Sequence, residues 1–351
     1  MYNGIKLIRF IAIRYADPIC AIDLTDKYLL YGTMLGTAAC YLINQKKLIT
    51  LSETQEEHIS GVKIQENDNP KDNKMYVCIG DDKINIYNSI NENYNEIPKF
   101  EQKNNYPNEN EHFQKCEKCF PMLKNDYFVR TFIEFPPDTK TGSNMYDTQC
   151  SVKKLLNLSE PEITRIIKMS NYSVPFDFDG KNYIFIDFLE EKKRIFNIFD
   201  FESGNIELTF EIEKCKEKIG HISLLKILKN DLIFLVRSYN ICEIRDMKFE
   251  LKKYFNYYGN EILAFDIIYT DENNFESLKI ILLDLKCNVI LYHYKENKSE
   301  ILFNLNNLEV EQVIKDQRFF SMGYPYYIKV SKQYMAISSD YGCVLVQHVP
   351  F

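Results

Sequence analysis

One arrangement of apolar and polar positions recurs along this 351-residue chain. Five or six apolar-rich residues are followed by a short turn, then by a segment in which apolar and polar residues alternate. It appears at Tyr28 (YLLYGTMLGTAACYLI), Met75 (MYVCIGDDKINIYN) and Tyr183 (YIFIDFLEEKKRIFNIFD). It returns at Leu232 (LIFLVRSYNICEIRD), Lys279 (KIILLDLKCNVILYHY) and Tyr334 (YMAISSDYGCVLVQHV). A period of two marks strands with one face buried, and each stretch reads as a β-hairpin. Leu35-Gly36, Asp81-Asp82, Tyr239-Asn240 and Tyr341-Gly342 supply residues suited to tight reversal at the turns.

The hairpins begin roughly fifty residues apart, a spacing typical of repeat architectures, with one gap of about twice that length. A unit is therefore expected near residue 129, and Tyr127 to Phe135 (YFVRTFIEF) lies there. A polar loop from Pro136 to Gln149 and a second apolar stretch, CSVKKLLNL, follow it. Further short strands precede most hairpins: Ile19 to Leu24, Ile59 to Ile64, Ile222 to Leu228, Ile262 to Tyr269 and Tyr326 to Val330. Others follow, at Ile206 to Ile212 and Ile301 to Leu305. Seven units of up to four strands, with no helical periodicity between them, predict an all-β chain arranged as a seven-bladed β-propeller. The last unit has only three strands of its own. Gly4 to Ile13 (GIKLIRFIAI) has no unit to join and is expected to pair with that last blade, removing a free sheet edge. This segment carries Lys6, Arg9 and Arg14 with no acid before Asp17, as a transit peptide would, but it alternates like a strand and lacks a small-residue cleavage site.

Three features resemble a degenerate WD40 propeller. Gly220-His221 stands just before the first strand of the fifth unit, where that family places its Gly-His pair. Asp200 of IFNIFD and Asp246 of CEIRD stand where its Trp-Asp dipeptide ends, and Ser338-Ser339-Asp340-Tyr341-Gly342 is similar to its strand-turn. No Trp occurs anywhere in the chain. The resemblance spans nearly all of it and implies a protein that organises assemblies of other proteins.

The domain organisation read from the sequence is a single propeller over residues 1–351, interrupted at about 88–125 by a polar insertion between blades two and three. That insertion is rich in Asn, Glu and Lys and reads as a projecting loop. It contains His112, Cys116 and Cys119, and two thiolates three positions apart on a tight turn can grip zinc, with His112 as a third ligand. A fourth ligand is not in view nearby, and two thiols in a Lys-rich loop is the plainer reading. The ten cysteines, without a secretory leader, read as reduced intracellular thiols.

The formal charge of −7 argues against a dominant nucleic-acid partner. No apolar run approaches the ~18–20 residues of a membrane-spanning helix. Asp177-Phe178-Asp179-Gly180 has the alternating acids of a calcium loop without the rest of it, so it reads as a turn. Lys192-Lys193-Arg194 after Glu190-Glu191 reads as a solvated hairpin tip, and Glu213 to Lys218 as exposed surface. The five histidines sit in no catalytic motif. Tyr254, Tyr257 and Tyr258 form one aromatic cluster and Tyr324, Tyr326 and Tyr327 another. Both suit partner contact, since tyrosine joins a large apolar body to a polar tip, and both equally suit packing between blades. The expected function is a non-catalytic scaffold that binds other protein subunits of an intracellular assembly, with no resident cofactor. Its expected home is the cytoplasm, a cytoskeletal or ciliary particle, or a mitochondrial one. The alternative is an enzyme or metal-binding protein acting at the propeller's central channel, where acids, His or Lys should converge on the first strands.

Overall fold

The structure, a computed structural model, describes residues 6–12, 17–53, 57–67, 73–80, 83–88, 116–124, 127–134, 145–155, 163–170, 173–189, 193–212, 222–237, 240–271, 273–307, 325–339 and 342–348. They form seven antiparallel sheets in chain order. The first holds β2 (Ile19–Leu24), β3 (Tyr28–Thr33), β4 (Thr37–Leu42) and β5 (Lys47–Glu53). The second holds β6 (Ile59–Gln65), β7 (Lys74–Ile79) and β8 (Lys83–Asn88), and the third β9 (Cys116–Lys124), β10 (Tyr127–Glu134), β11 (Met145–Lys154) and β12 (Ile163–Ser170). The fourth comprises β13 (Val174–Phe178), β14 (Asn182–Leu189), β15 (Lys193–Asp200) and β16 (Asn205–Ile212). The fifth comprises β17 (Ile222–Leu228), β18 (Leu232–Arg237), β19 (Ile241–Asp246) and β20 (Leu251–Asn256). The sixth is built from β21 (Ile262–Tyr269), β22 (Leu278–Asp284), β23 (Asn288–His293) and β24 (Lys298–Asn304). The last contains β25 (Pro325–Val330), β26 (Tyr334–Ser339) and β27 (Gly342–Gln347), with β1 (Lys6–Ala12) beside β27. The fold is a seven-bladed β-propeller, and all six expected hairpins are present.

β1 runs antiparallel to β27, from Lys6 opposite Gln347 to Ala12 opposite Gly342. The N-terminal strand thus completes the last blade, as the unpaired alternating segment predicts.

Three boundaries depart from the sequence reading. Residues 116–124 of the expected polar insertion form β9, the first strand of blade three, in register with β10 from Lys124 opposite Tyr127. Pro and charged residues disguise this strand, while its partner supplies the pairing that its composition does not advertise. β11 begins at Met145, inside the stretch expected as a polar loop, because alternation with β12 continues to Ser170 opposite Met145. Lys193 and Arg194 belong to β15 and not to a hairpin tip; the Arg194 guanidinium lies 5.3 Å from the centre of the Phe188 ring on the paired strand.

The chain divides into two compact units. One comprises Met1–Asn105 with Gly259–Phe351, and the other Tyr106–Tyr258. In the first, the second strand of blade one is sandwiched between its neighbours. Leu29 and Tyr31 of β3 pack with Ala336 and Leu345 of the last blade, while Leu30 packs with Ile59, Met75 and Val77 of blade two. Both faces are buried, so this strand reads as a continuous apolar run where its partner alternates. In the second unit, Phe185 and Tyr183 of β14 face Val129 and Cys150 of blade three, while Ile184 and Ile186 face Ile233 and Leu235 of blade five.

The first strand carries a bulge near its start in six blades, between Ile19 and Ala21, Ile59 and Gly61, Pro175 and Asp177, Ile222 and Leu224, Ile262 and Ala264, and Pro325 and Tyr327. Such an extra residue bends the strand and redirects one side chain. At three bulges that side chain donates to a carbonyl: Cys20 to Ile59 of the next blade at 2.8 Å, Ser60 to Gly80 at 2.6 Å and Ser223 to Val236 at 3.2 Å.

Candidate functional site

The first strands carry the charges that a channel site would need, and the structure shows how they are used. Asp23 of β2 accepts the Ile64 N–H of the next blade at 2.7 Å, and the Lys63 ammonium stands 3.4 Å from the same oxygen. Asp266 of β21 accepts the Val330 N–H of the next blade at 2.9 Å, with Lys329 Nζ 3.9 Å away. Asp177 of β13 accepts the Ile227 N–H at 2.7 Å, and Lys226 holds the position that Lys63 and Lys329 hold elsewhere. An acid on one first strand and a lysine on the next thus form a recurring clasp. Each carboxylate satisfies a backbone donor that neighbouring strands of different sheets would otherwise leave open.

A fourth buried acid joins blades three and four. Asp187 of β14 is 1% exposed. It accepts the Ser170 N–H at 2.9 Å, the Asn197 amide at 2.7 Å and the Ser173 hydroxyl. Burial raises its carboxyl above the ordinary carboxylate value, and those donors pull the other way.

The tyrosine clusters divide. Tyr254 on β20 is 58% exposed and Tyr258, just beyond that strand, is 92% exposed. Tyr257 between them is half-buried, its N–H donating to the Asn240 carbonyl at 3.0 Å. Tyr327 lies in the first strand of its blade, exposed, and its hydroxyl is raised by burial and by nearby Cys20. Tyr326 is in β25 and Tyr324 lies outside the described residues. One cluster therefore sits on a fourth strand and the other on a first strand, so they occupy different stations within their blades.

Cys116 and Cys119 fall in the extended backbone of β9, where the zinc reading supposed a tight turn, and His112 lies outside the described residues. Among the described residues no cluster of three or more His, Cys, Asp or Glu has the spacing of a metal site. His293 approaches Glu300 at 3.1 Å, and buried His348 donates from Nε2 to the Ser331 carbonyl at 3.1 Å. His58 is exposed, while His221, with Gly220, lies outside the described residues. Asp200 and Asp246 end third strands and cap turns: Asp200 accepts the Ser203 N–H at 2.7 Å, and Asp246 accepts those of Lys248 and Glu250 at 2.9 Å. Asp179 accepts the N–H groups of Lys181 and Asn182, so Asp177-Phe178-Asp179-Gly180 is a strand-connecting turn.

The cysteines behave as small core residues. Cys40, Cys78, Cys150, Cys242, Cys287 and Cys343 are buried, and burial pushes the Cys343 thiol up to about 12 and that of half-buried Cys20 up to about 11. A thiol that cannot ionise near neutrality is a poor nucleophile. In the native protein at pH 8, a thiol-specific dye is expected to label rapidly none of these seven residues. All ten should react in denaturant; rapid native labelling of any of the seven, located by peptide mapping, would refute the assignment.

No family model and no curated protein sequence matches this chain. Among solved structures it is similar to the computationally designed Ika8 protein. The identity is 9% and the TM-score 0.55, over 99% of this chain and 100% of that one. At that identity the likeness concerns fold alone; the class, a β-propeller, is defined by the seven sheets themselves.

Proposed function

We propose that this propeller is a non-catalytic scaffold that binds other protein subunits of a larger assembly. One observation carries the reading: apolar side chains stand exposed on the fourth strands of three successive blades in one unit. They are Ile163 and Ile166 on β12, Ile206 and Phe210 on β16, and Leu251 and Tyr254 on β20. A fourth strand is bonded on one side only, so such positions combine an open backbone edge with apolar contact area. The acids and lysines of the first strands support the same reading over a channel enzyme, because the clasps between blades occupy the carboxylates. The resemblance to WD40 propellers, which mostly organise assemblies, points the same way.

The test is native purification at moderate salt with mass spectrometry of co-migrating chains, run in parallel on an Ile166→Glu/Tyr254→Glu variant. The expected result is one or more stoichiometric proteins with the unaltered chain and their loss from the variant, at an unchanged urea midpoint. A chain that migrates alone, or partners indifferent to the double substitution, would count against the reading.

A further inference from the structure

A cavity of about 500 Å³ opens between blades four and five, within the unit Tyr106–Tyr258. Phe210, Leu235 and Phe249 form its apolar wall, and Arg237, Glu243 and Arg245 its polar one. Its size lies in the range of small-ligand sites, roughly 300–1,000 Å³.

The polar wall is held rigidly. Glu243 is 7% exposed, and both of its oxygens are engaged: Oε1 by Arg237 Nη1 at 3.3 Å, Oε2 by Arg245 Nε at 2.7 Å. Arg245 also donates through Nη1 to the Phe249 carbonyl at 2.6 Å, and its guanidinium lies 4.7 Å from the centre of the Phe249 ring. A guanidinium has five N–H donors in a fixed fork, so Arg245 retains donors beyond these two bonds. Glu243, with both oxygens occupied, adds little acceptor capacity to the wall. The remaining acid of the lining, Glu211, is solvent-exposed, where salt and water screen it.

The apolar wall shows an independent sign of specialisation. Phe249 has φ of +65°, in the left-handed region, at the turn between β19 and β20. At the corresponding turns of blades one, four and six that region is held by Lys46, Gly204 and Asn297. A bulky aromatic is an unfavourable choice there. In return, its ring centre lies 4.6 Å from that of Phe210 and 4.4 Å from that of Phe196, and its carbonyl fixes Arg245. Strain concentrated where a charged group is positioned is a recurrent property of ligand sites.

From this geometry we infer that the cavity binds a carboxylate joined to an aromatic or branched apolar group. The planar fork of Arg245 suits a carboxylate, and Phe210 with Phe249 receives the apolar body. Such a group comes either from a free organic acid or from an acidic residue beside an aromatic one in a peptide. The inference does not depend on the scaffold reading, because its test uses no cellular partner.

The full chain is titrated calorimetrically and by ligand-observed NMR with 3-phenylpropionate, with 3-phenylpropionamide, and with the capped dipeptide acetyl-Phe-Asp-amide. The acid is expected to bind in the millimolar range or better and about tenfold more tightly than its amide, the discrimination a charge-assisted pair provides. Arg245→Gln should abolish that preference. Phe210→Ala, a truncation at a half-exposed strand position, should weaken acid and amide alike while leaving the urea midpoint unchanged. Phe249→Gly, which the turn accommodates, should abolish binding by removing the wall. Tighter binding of the dipeptide than of the free acid identifies a peptide source, and the reverse a small-molecule source. Equal affinity for acid and amide, or no binding of either at about 10 mM, the weak limit for so small a ligand, would overturn the inference.

Discussion

Replacing Asp187 with alanine is expected to destabilise the protein by about 3–5 kcal/mol, the largest effect foreseen for a single substitution here, since it breaks a buried bonded network. Its carboxylate receives donors from the Ser170 backbone, the Ser173 hydroxyl and the Asn197 amide. Ser170, Ser173 and Asn197 are themselves buried, so those donors would face a void. The loss should appear as a lower urea midpoint with an unchanged m-value. A change below about 0.5 kcal/mol, the level of an ordinary surface substitution, would show that the network contributes nothing. Asp187→Asn separates charge from shape. Its amide nitrogen must face a donor, so this variant too should be less stable. The pH dependence has a definite sign. Burial raises the folded-state carboxyl above its ordinary value of 3.8. The stability contributed by the protonated group is therefore fully present below that value and is lost as pH rises through the folded-state pKa. The wild type's advantage over Asp187→Asn should be greatest in acid and shrink toward neutrality; an advantage that grows with pH would contradict the raised value.

The second large effect is expected at Gly32. A Cβ there would stand 2.6 Å from Ile59 Cβ, inside any tolerable contact. Ile59 is fully buried, and its carbonyl accepts the Cys20 thiol at 2.8 Å, so blade two cannot retreat without breaking that bond. Gly32→Ala should cost about 1–3 kcal/mol as an overpacking change. Adding Ile59→Ala should recover part of the loss, giving a coupling energy in a double-mutant cycle well outside additivity. Strict additivity would place the strain elsewhere.

Much of the architecture is legible because the second strand of each blade, buried on both faces, is conspicuous as an apolar run. β3, β14, β18, β22 and β26 all announce themselves this way, and the short strand before each follows from spacing. β9 was hidden because CEKCFPMLK carries three lysine or glutamate side chains and a proline. Its strand character comes from the β10 partner, a contact that local composition does not encode. The acid–lysine clasp did leave a signal: Asp in ICAIDL, VPFDF and ILAFDIIY, then Lys before Ile or Val in ISGVKIQ, ISLLKIL and PYYIKV of the next blade. A reading that weighed only apolarity passed over it. The cavity was less accessible. Arg237, Glu243 and Arg245 meet only once β18 and β19 are laid in register, with Leu235 opposite Glu243 and Ile233 opposite Arg245. Nothing local marks Phe249 as left-handed.

The pairing of β1 with β27 sets a schedule for biosynthesis. Lys6 is synthesised hundreds of residues ahead of its partner Gln347. At ordinary elongation rates the first strand waits roughly half a minute for its neighbour. Throughout that interval the nascent chain carries an unsatisfied β-edge, and blade seven cannot be assembled on any pathway before β27 has been made. Closure of the last blade thus waits on the strand furthest from β1 in the described chain, and until then β1 must be kept from pairing with any other edge.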